Sequence, residues 1–181
     1  MKKKVLWLTS TAMMIAVLVS LQYITKPMGQ LVTGSCVNLV LAVTALVVGL
    51  SGGVTVALVS PVMAYLLGIA PQILTVPAIM VGNTVFVWLL HALISRSEGK
   101  VAVHVAAWLL AAVAKFAALY LIVSELICGV LAPSLMASGA LKEPMLKALP
   151  ATFSWPQLIT ALIGGGIALL IVPVIRKALH K

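Results

Sequence analysis

Charge is what this sequence has least of. Only 8% of its 181 residues are charged, and three are acidic: Glu98, Glu125 and Glu143, with aspartate absent. A soluble domain carries about 25% charged residues, so a chain this apolar would not stay dissolved. Three scattered carboxylates also leave no pair for general acid–base work, and no Ser-His-Asp set can be assembled. Cysteine is nearly missing too. Cys36 and Cys128 have no CxxC spacing and no histidine nearby in sequence, which argues against a zinc site. Both should lie near one membrane face, so a disulfide and two small apolar residues are both open readings. Aromatic residues make up 6% of the chain, and no basic stripe alternates with stacking rings. The net charge of +9 is therefore not read as a nucleic-acid surface. No GxxxxGK[ST] phosphate loop occurs, so the chain cannot power transport with ATP by itself. No catalytic residues, no metal and no cofactor of its own are expected.

What is present is apolar length: hydrophobic residues make up 63% of the chain. A helix crossing about 30 Å of hydrocarbon needs about 20 residues, and backbone groups in lipid must pair within helices or a closed barrel. The runs are long and do not alternate, which favours helices. The expected fold is all-α, one membrane domain over residues 1–181. Its six transmembrane helices lie at about 5–24, 34–50, 54–69, 73–94, 101–127 and 156–175. The segment after Lys2, Lys3 and Lys4 resembles a signal peptide but lacks a clean small-residue cleavage site, so a retained helix is favoured.

The basic residues give the orientation. With both termini cytoplasmic, Lys2, Lys3, Lys4, Arg96, Lys100, Arg176, Lys177 and Lys181 lie inside, and Lys26, Lys142 and Lys147 outside. Eight against three is the bias the positive-inside rule describes. The inner connections are short: 50–53, where Gly52 and Gly53 permit a turn, and 95–100. The outer ones, 25–33, 70–72 and 128–155, are richer, and "LKEPMLKAL" is expected to form a short interfacial helix. Irregular backbone gathered on one face implies a pocket open to the outside.

Lys115 is the sharpest single residue, lying mid-span in "AAVAKFAALYL". A charge at the bilayer centre costs at least ~2.5–3.5 kcal/mol. Two readings stay open: a ligand carboxylate or phosphate, or else snorkelling or pairing with protein carbonyls. Removing the charge is expected to leave folding at least as good. Glu125 is too far along the same helix to pair with it, at about 15 Å; it either binds a cationic group or is solvated. Asn83 needs a buried partner, either another helix or a ligand. His91 and His104 read as structural or interfacial. Thr33, Ser35 and Asn38 read as caps of the second span that also face the pocket. Gln30 adds an amide between Gly29 and Gly34, and Gln72, Trp155 and Gln157 are weaker candidates on the same rim. Ala12 and Ala16, extended by Ser20, form a small face on the first helix. That face suits either packing within the chain or docking to a separate membrane subunit.

Several of these features together resemble the substrate-binding S component of an energy-coupling-factor (ECF) vitamin transporter. They are the alanine-rich first helix with Ala12 and Ala16, the outer loop ending in "TGSCVN", the hairpin "LAVTALVVGLSGGVTVALVSPVMAYLLGI" and the phrase "VPAIMVGNTVFV". The resemblance covers nearly the whole chain. It implies a multi-pass protein of a prokaryotic plasma membrane that captures a micronutrient, anionic if Lys115 meets it. A transmembrane coupling subunit and two ATPase subunits would be its partners, with Ala12 and Ala16 on the docking face. It does not name the micronutrient. A small structural or assembly membrane protein and a self-sufficient secondary carrier are the alternatives.

Overall fold

The structure is a computed structural model that describes residues 2–70, 72–97 and 100–179, with the backbone alone at Lys2. Glu98, Lys181, the Lys2 side chain and Pro71 of the expected loop 70–72 lie outside the described residues. The described chain is all-helical, without strands. Helix α1 is Lys2–Thr25, followed by a 3-10 turn at Lys26–Met28. Then come α2 (Gln30–Val47), α3 (Leu50–Leu66), a 3-10 turn at Ile73–Thr75 and α4 (Val76–Ile94). Helix α5 (Val101–Leu119) runs on into an eleven-residue π-helical segment, Tyr120–Val130. Short helices α6 (Ala132–Ala137) and α7 (Glu143–Thr152) precede α8 (Trp155–Leu179). Five helical stretches are long and apolar enough to cross a membrane. Helix α3, at 17 residues, is apolar but shorter. This composition fits a membrane protein.

The boundaries depart from expectation in physically readable ways. Helix α2 starts at Gln30, not residue 34, with Gly29 as its cap residue at φ +85°. Thr33, Ser35 and Asn38 therefore lie inside the helix and do not cap it. The α2–α3 turn falls at Val48–Gly49, where Gly49 has φ +107°, and not at Gly52–Gly53. Gly52 and Gly53 are buried within α3. A Cβ on Gly53 would come within 2.6 Å of Val87 and 3.0 Å of the Ala45 backbone. That glycine serves the close approach of three helices, and the turn needed only Gly49. The expected loop 128–155 is largely helical, and "LKEPMLKAL" does hold a short helix, α7. Cys36 and Cys128 are free thiols.

Most of the core is built on α2. Leu41, Ala42 and Ala45 are fully buried among Val56, Phe86, Leu90, Ala111 and Ala168 from the surrounding helices. Helix α8 packs mainly against α2. A Cβ on Gly34 would meet Thr160, and one on Gly164 would meet the backbone of Ser35 and Leu39. In lipid, association depends on such close packing and on interhelical hydrogen bonds. The C-terminal end of α2 is held by two of them. His91 Nδ1 bonds the Ala45 carbonyl at 2.8 Å, and Arg176 donates to the Leu46 carbonyl at 2.5 Å. A cation there also complements the helix dipole.

The opposite end carries a second, smaller core of Ala78, Leu119, Val123, Ile127, Leu149 and Phe153. Three hydrogen bonds tie its connections together. Lys26 donates to the Leu67 carbonyl at 2.7 Å, Gln30 to the Thr152 carbonyl at 3.5 Å, and Gln72 to the Met145 sulfur. The three richer connections thus converge on one end of the bundle, and the site lies beneath them.

Candidate functional site

Lys115 is placed by α5 against the faces of α2 and α4, and it is only 2% exposed. Its ammonium donates to Asn38 Oδ1 at 2.6 Å and to Asn83 Oδ1 at 2.7 Å. It also stands 5.7 Å from the centroid of the Phe86 ring, within cation–π range. Asn38 in turn donates to the Gly34 carbonyl at 2.9 Å and to Thr160 Oγ1 at 3.2 Å. Three amphipathic groups from α2, α4 and α5 thus close one network, with α8 attached through Thr160. The burial does not fit snorkelling, and the two asparagine amide oxygens supply the pairing with protein carbonyls that was the other half of that reading. No carboxylate meets it among the described residues. Glu125 is exposed, and Glu143 pairs with Lys147 at 3.7 Å on the surface.

The network forms part of the lining of a narrow cavity of ≈ 100 Å³. Around it stand Gln22 of α1, Gln30, Thr33 and Asn38 of α2, Ser60 of α3, Asn83, Lys115, Thr152, Phe153 and Gln157. Thr33 Oγ1 donates to the Thr25 carbonyl at 2.9 Å, which ties α2 to the end of α1. Gln22 Nε2 donates to the Ser60 carbonyl at 3.3 Å and to its hydroxyl at 3.4 Å. The Thr152 carbonyl accepts from both Gln30 and Gln157, each at 3.5 Å, and Phe153 beside it is 2% exposed. Segment 152–157 therefore contributes Thr152, Phe153 and Gln157 to the cavity wall. The cavity is small and only partly enclosed.

Two buried polar atoms in this lining have no partner: Gln22 Oε1 and Asn83 Nδ2. Such orphans are uncommon in buried structure and call for a reason. The orientation of Asn83 follows from Lys115. An ammonium only donates, so it draws the amide oxygen and leaves the amide N–H groups turned away from it.

Six of the ten residues singled out from the sequence line this cavity: Gln30, Thr33, Asn38, Asn83, Lys115 and Gln157. The other four stand elsewhere. Ser35 donates to the Leu31 carbonyl in its own helix at 2.6 Å. Gln72 is at a separate shallow depression with Met145. Trp155 is 66% exposed, stacks on Phe116 at 5.8 Å and borders an open groove outside the cavity. Glu125 lies on the exposed side of the π-helical segment. Comparison with protein-family models, with curated proteins and with solved structures returns no match. The site therefore rests on its own geometry.

Sequence reasoning missed Gln22, Ser60 and Phe153. Gln22 carried a readable signal, because an amide inside an apolar helix needs a partner. Ser60 and Phe153 carried none. Ala12, Ala16 and Ser20 are all exposed on α1, in a stripe with Met13 and Val17. The described residues thus leave this face open, which does not fit packing inside this chain, one of the two open readings.

Proposed function

We propose that the chain is the substrate-binding S component of an ECF-type importer in a prokaryotic plasma membrane. It captures a vitamin or related micronutrient from outside. It then delivers the molecule inward with a coupling subunit and two ATPases that consume the ATP. The observation that carries this reading is the small cavity beside the buried Lys115–Asn38–Asn83 network, inside an otherwise apolar bundle. A charged residue within a membrane domain marks a functional site by default, and a few placed polar groups in an apolar pocket are what a small molecule requires. Gln22 Oε1 and Asn83 Nδ2 in the cavity lining are free to take a further hydrogen bond. In this reading the bundle spans six times, α3 included. Segment 152–157 opens to admit substrate, and the exposed Ala12–Ala16 face of α1 meets the coupling subunit.

Two results are expected. Replacing both Ala12 and Ala16 with leucine should abolish capture of co-expressed coupling and ATPase subunits in a pull-down, because bulky groups hold helices apart. Ligand binding by the isolated chain should remain within about twofold, since both positions are remote from the cavity (surface changes are worth about ±0.5 kcal/mol). Unchanged pull-down would remove the docking role.

The second concerns orientation. In a Cys36→Ala, Cys128→Ala background, Ser138→Cys should react with an impermeant maleimide in intact cells, and Ser95→Cys should not. The basic residues at 96, 100, 176 and 177 make the Ser95 side cytoplasmic by the positive-inside rule. The reverse labelling pattern would invert the topology and put the cavity on the wrong side for uptake.

A further inference from the structure

The two orphaned atoms lie in different parts of the cavity wall and differ in kind. Asn83 Nδ2 is a donor on the amide whose oxygen accepts from Lys115, and Lys115 itself places only two of its three N–H groups on protein acceptors. Gln22 Oε1 is an acceptor, contributed by α1, which packs on α2 and α3. Asn83 is 1% exposed and Gln22 2%. The wall also includes apolar Val37, Pro61, Ala64 and Ile79. Lys115 is the one ionisable side chain among the described residues of the lining.

These features complement a single kind of molecule. We infer that the cavity takes a small monocarboxylic acid with a compact apolar middle and an N–H group, the carboxylate at Lys115 and Asn83 and the N–H at Gln22 Oε1. The inference rests on the reading of this chain as a capture subunit and adds the chemistry of what it captures. A single cation argues for a single negative charge. A phosphate ester carries ≈ −1.5 to −2 at neutral pH, and the excess would sit uncompensated among apolar walls, which is costly. A neutral ligand would leave the buried ammonium without a counter-charge. A carboxylate can take one N–H from Lys115 and one from Asn83, both charge-assisted because the acceptor is ionised. At the other end an N–H satisfies the glutamine oxygen, whose partner Ser60 already holds the amide nitrogen.

The test uses the purified full chain in detergent and reads melting temperature, which ligand binding raises by mass action. The probes are 5-oxoproline and N-acetyl-β-alanine at millimolar concentration. Each is paired with its methyl ester, which lacks the charge, and with its N-methyl form, which lacks the N–H. At least one acid should raise the melting temperature, with its ester and its N-methyl form clearly weaker. Gln22→Met should weaken that acid about tenfold and leave its N-methyl form unchanged. No stabilisation by any acid, or esters as effective as acids, would overturn the assignment. So would a Gln22→Met loss shared equally by both forms, since that would make Gln22 a structural residue only. Pull-down of the coupling and ATPase subunits with the same preparations separates the two claims. Assembly without acid binding would refute the ligand chemistry alone. Acid binding without assembly would refute the importer reading and keep the ligand.

Discussion

Lys115→Met is expected to lower the melting temperature of the protein in detergent and to weaken ligand binding by roughly 2–3 kcal/mol. The sequence alone pointed the other way on stability, because it showed only an unpaired cation in mid-span, whose removal should help. The structure supplies the missing acceptors. Asn38 Oδ1 and Asn83 Oδ1 both take their hydrogen bond from Lys115, and each asparagine is 1% exposed. Methionine fills the space of the stem but donates nothing. An acceptor stranded in this way costs ~1–3 kcal/mol, and two of them outweigh the relief of removing a cation that was already well solvated by amides. For a chain of this size about 1 kcal/mol corresponds to ~2–4 °C, so a fall of several degrees is expected. The double variant Lys115→Met, Asn83→Leu should recover part of that fall, because one stranded oxygen is removed with its side chain, while binding stays lost. Coupling of about 0.5–3 kcal/mol between the two positions is usual for such contacts. A single variant that melts at or above the wild type would mean that the asparagines do not depend on Lys115 for their hydrogen bonds.

Much of the bundle was legible because lipid imposes a length. The runs behind α1, α4 and α8 are set by the need for about 20 apolar residues, and their observed bounds fall close to the expected ones, whereas α5 ends at Leu119 and the π-helical segment completes the expected span. Other features depend on tertiary contacts that no local pattern records. "GLSGG" offers three glycines, any of which can turn. Only the approach of Ala45 and Val87 to Gly53 shows that the last two are wanted for packing and that Gly49 makes the turn. The π-helical run 120–130 reflects a shift in backbone pairing, and its residues read as ordinary apolar helix. The site divides in the same way. Lys115, Asn38 and Asn83 each stood out singly as polar groups in apolar surroundings. Their meeting could not be read, because they lie on three helices separated by 77 and 32 residues in sequence. Glu125, Gln72 and Trp155 were drawn to the site by their nearness to the outer connections. The structure turns them outward or to other depressions, since nearness to a loop does not fix which way a helical residue faces.

The second large effect belongs to a residue with no side chain. Gly164→Ala is expected to destabilise the protein by about 1–3 kcal/mol, the usual range for overpacking a tight contact, and to reduce ligand binding with it. A Cβ at Gly164 would lie 2.6 Å from the Leu39 nitrogen and 2.7 Å from the Asn38 Cβ, besides the Ser35 carbonyl oxygen. Two of these three are backbone atoms of α2, so no side-chain rotation relieves the clash; α8 must move away. One turn before Gly164 is Thr160, whose hydroxyl receives the Asn38 amide at 3.2 Å, and Thr160 also fills the notch left by Gly34. Gly34 and Asn38 on α2 thus interlock with Thr160 and Gly164 on α8, each pair four residues apart and on one face. Moving α8 outward lengthens the Asn38–Thr160 bond first. That frees the Asn38 amide to rotate and removes the fixed oxygen that holds Lys115. The alanine substitution should therefore weaken binding even under conditions where the protein remains folded. Gly129→Ala is the matched control. A Cβ there meets only the Ser124 carbonyl at 3.6 Å, an ordinary contact, and the change should stay within about 0.5 kcal/mol. Melting curves and ligand titrations of both variants decide the matter. If Gly164→Ala and Gly129→Ala behave alike, the α2–α8 interface is looser than this geometry requires, and Asn38 owes its position to something other than the glycine.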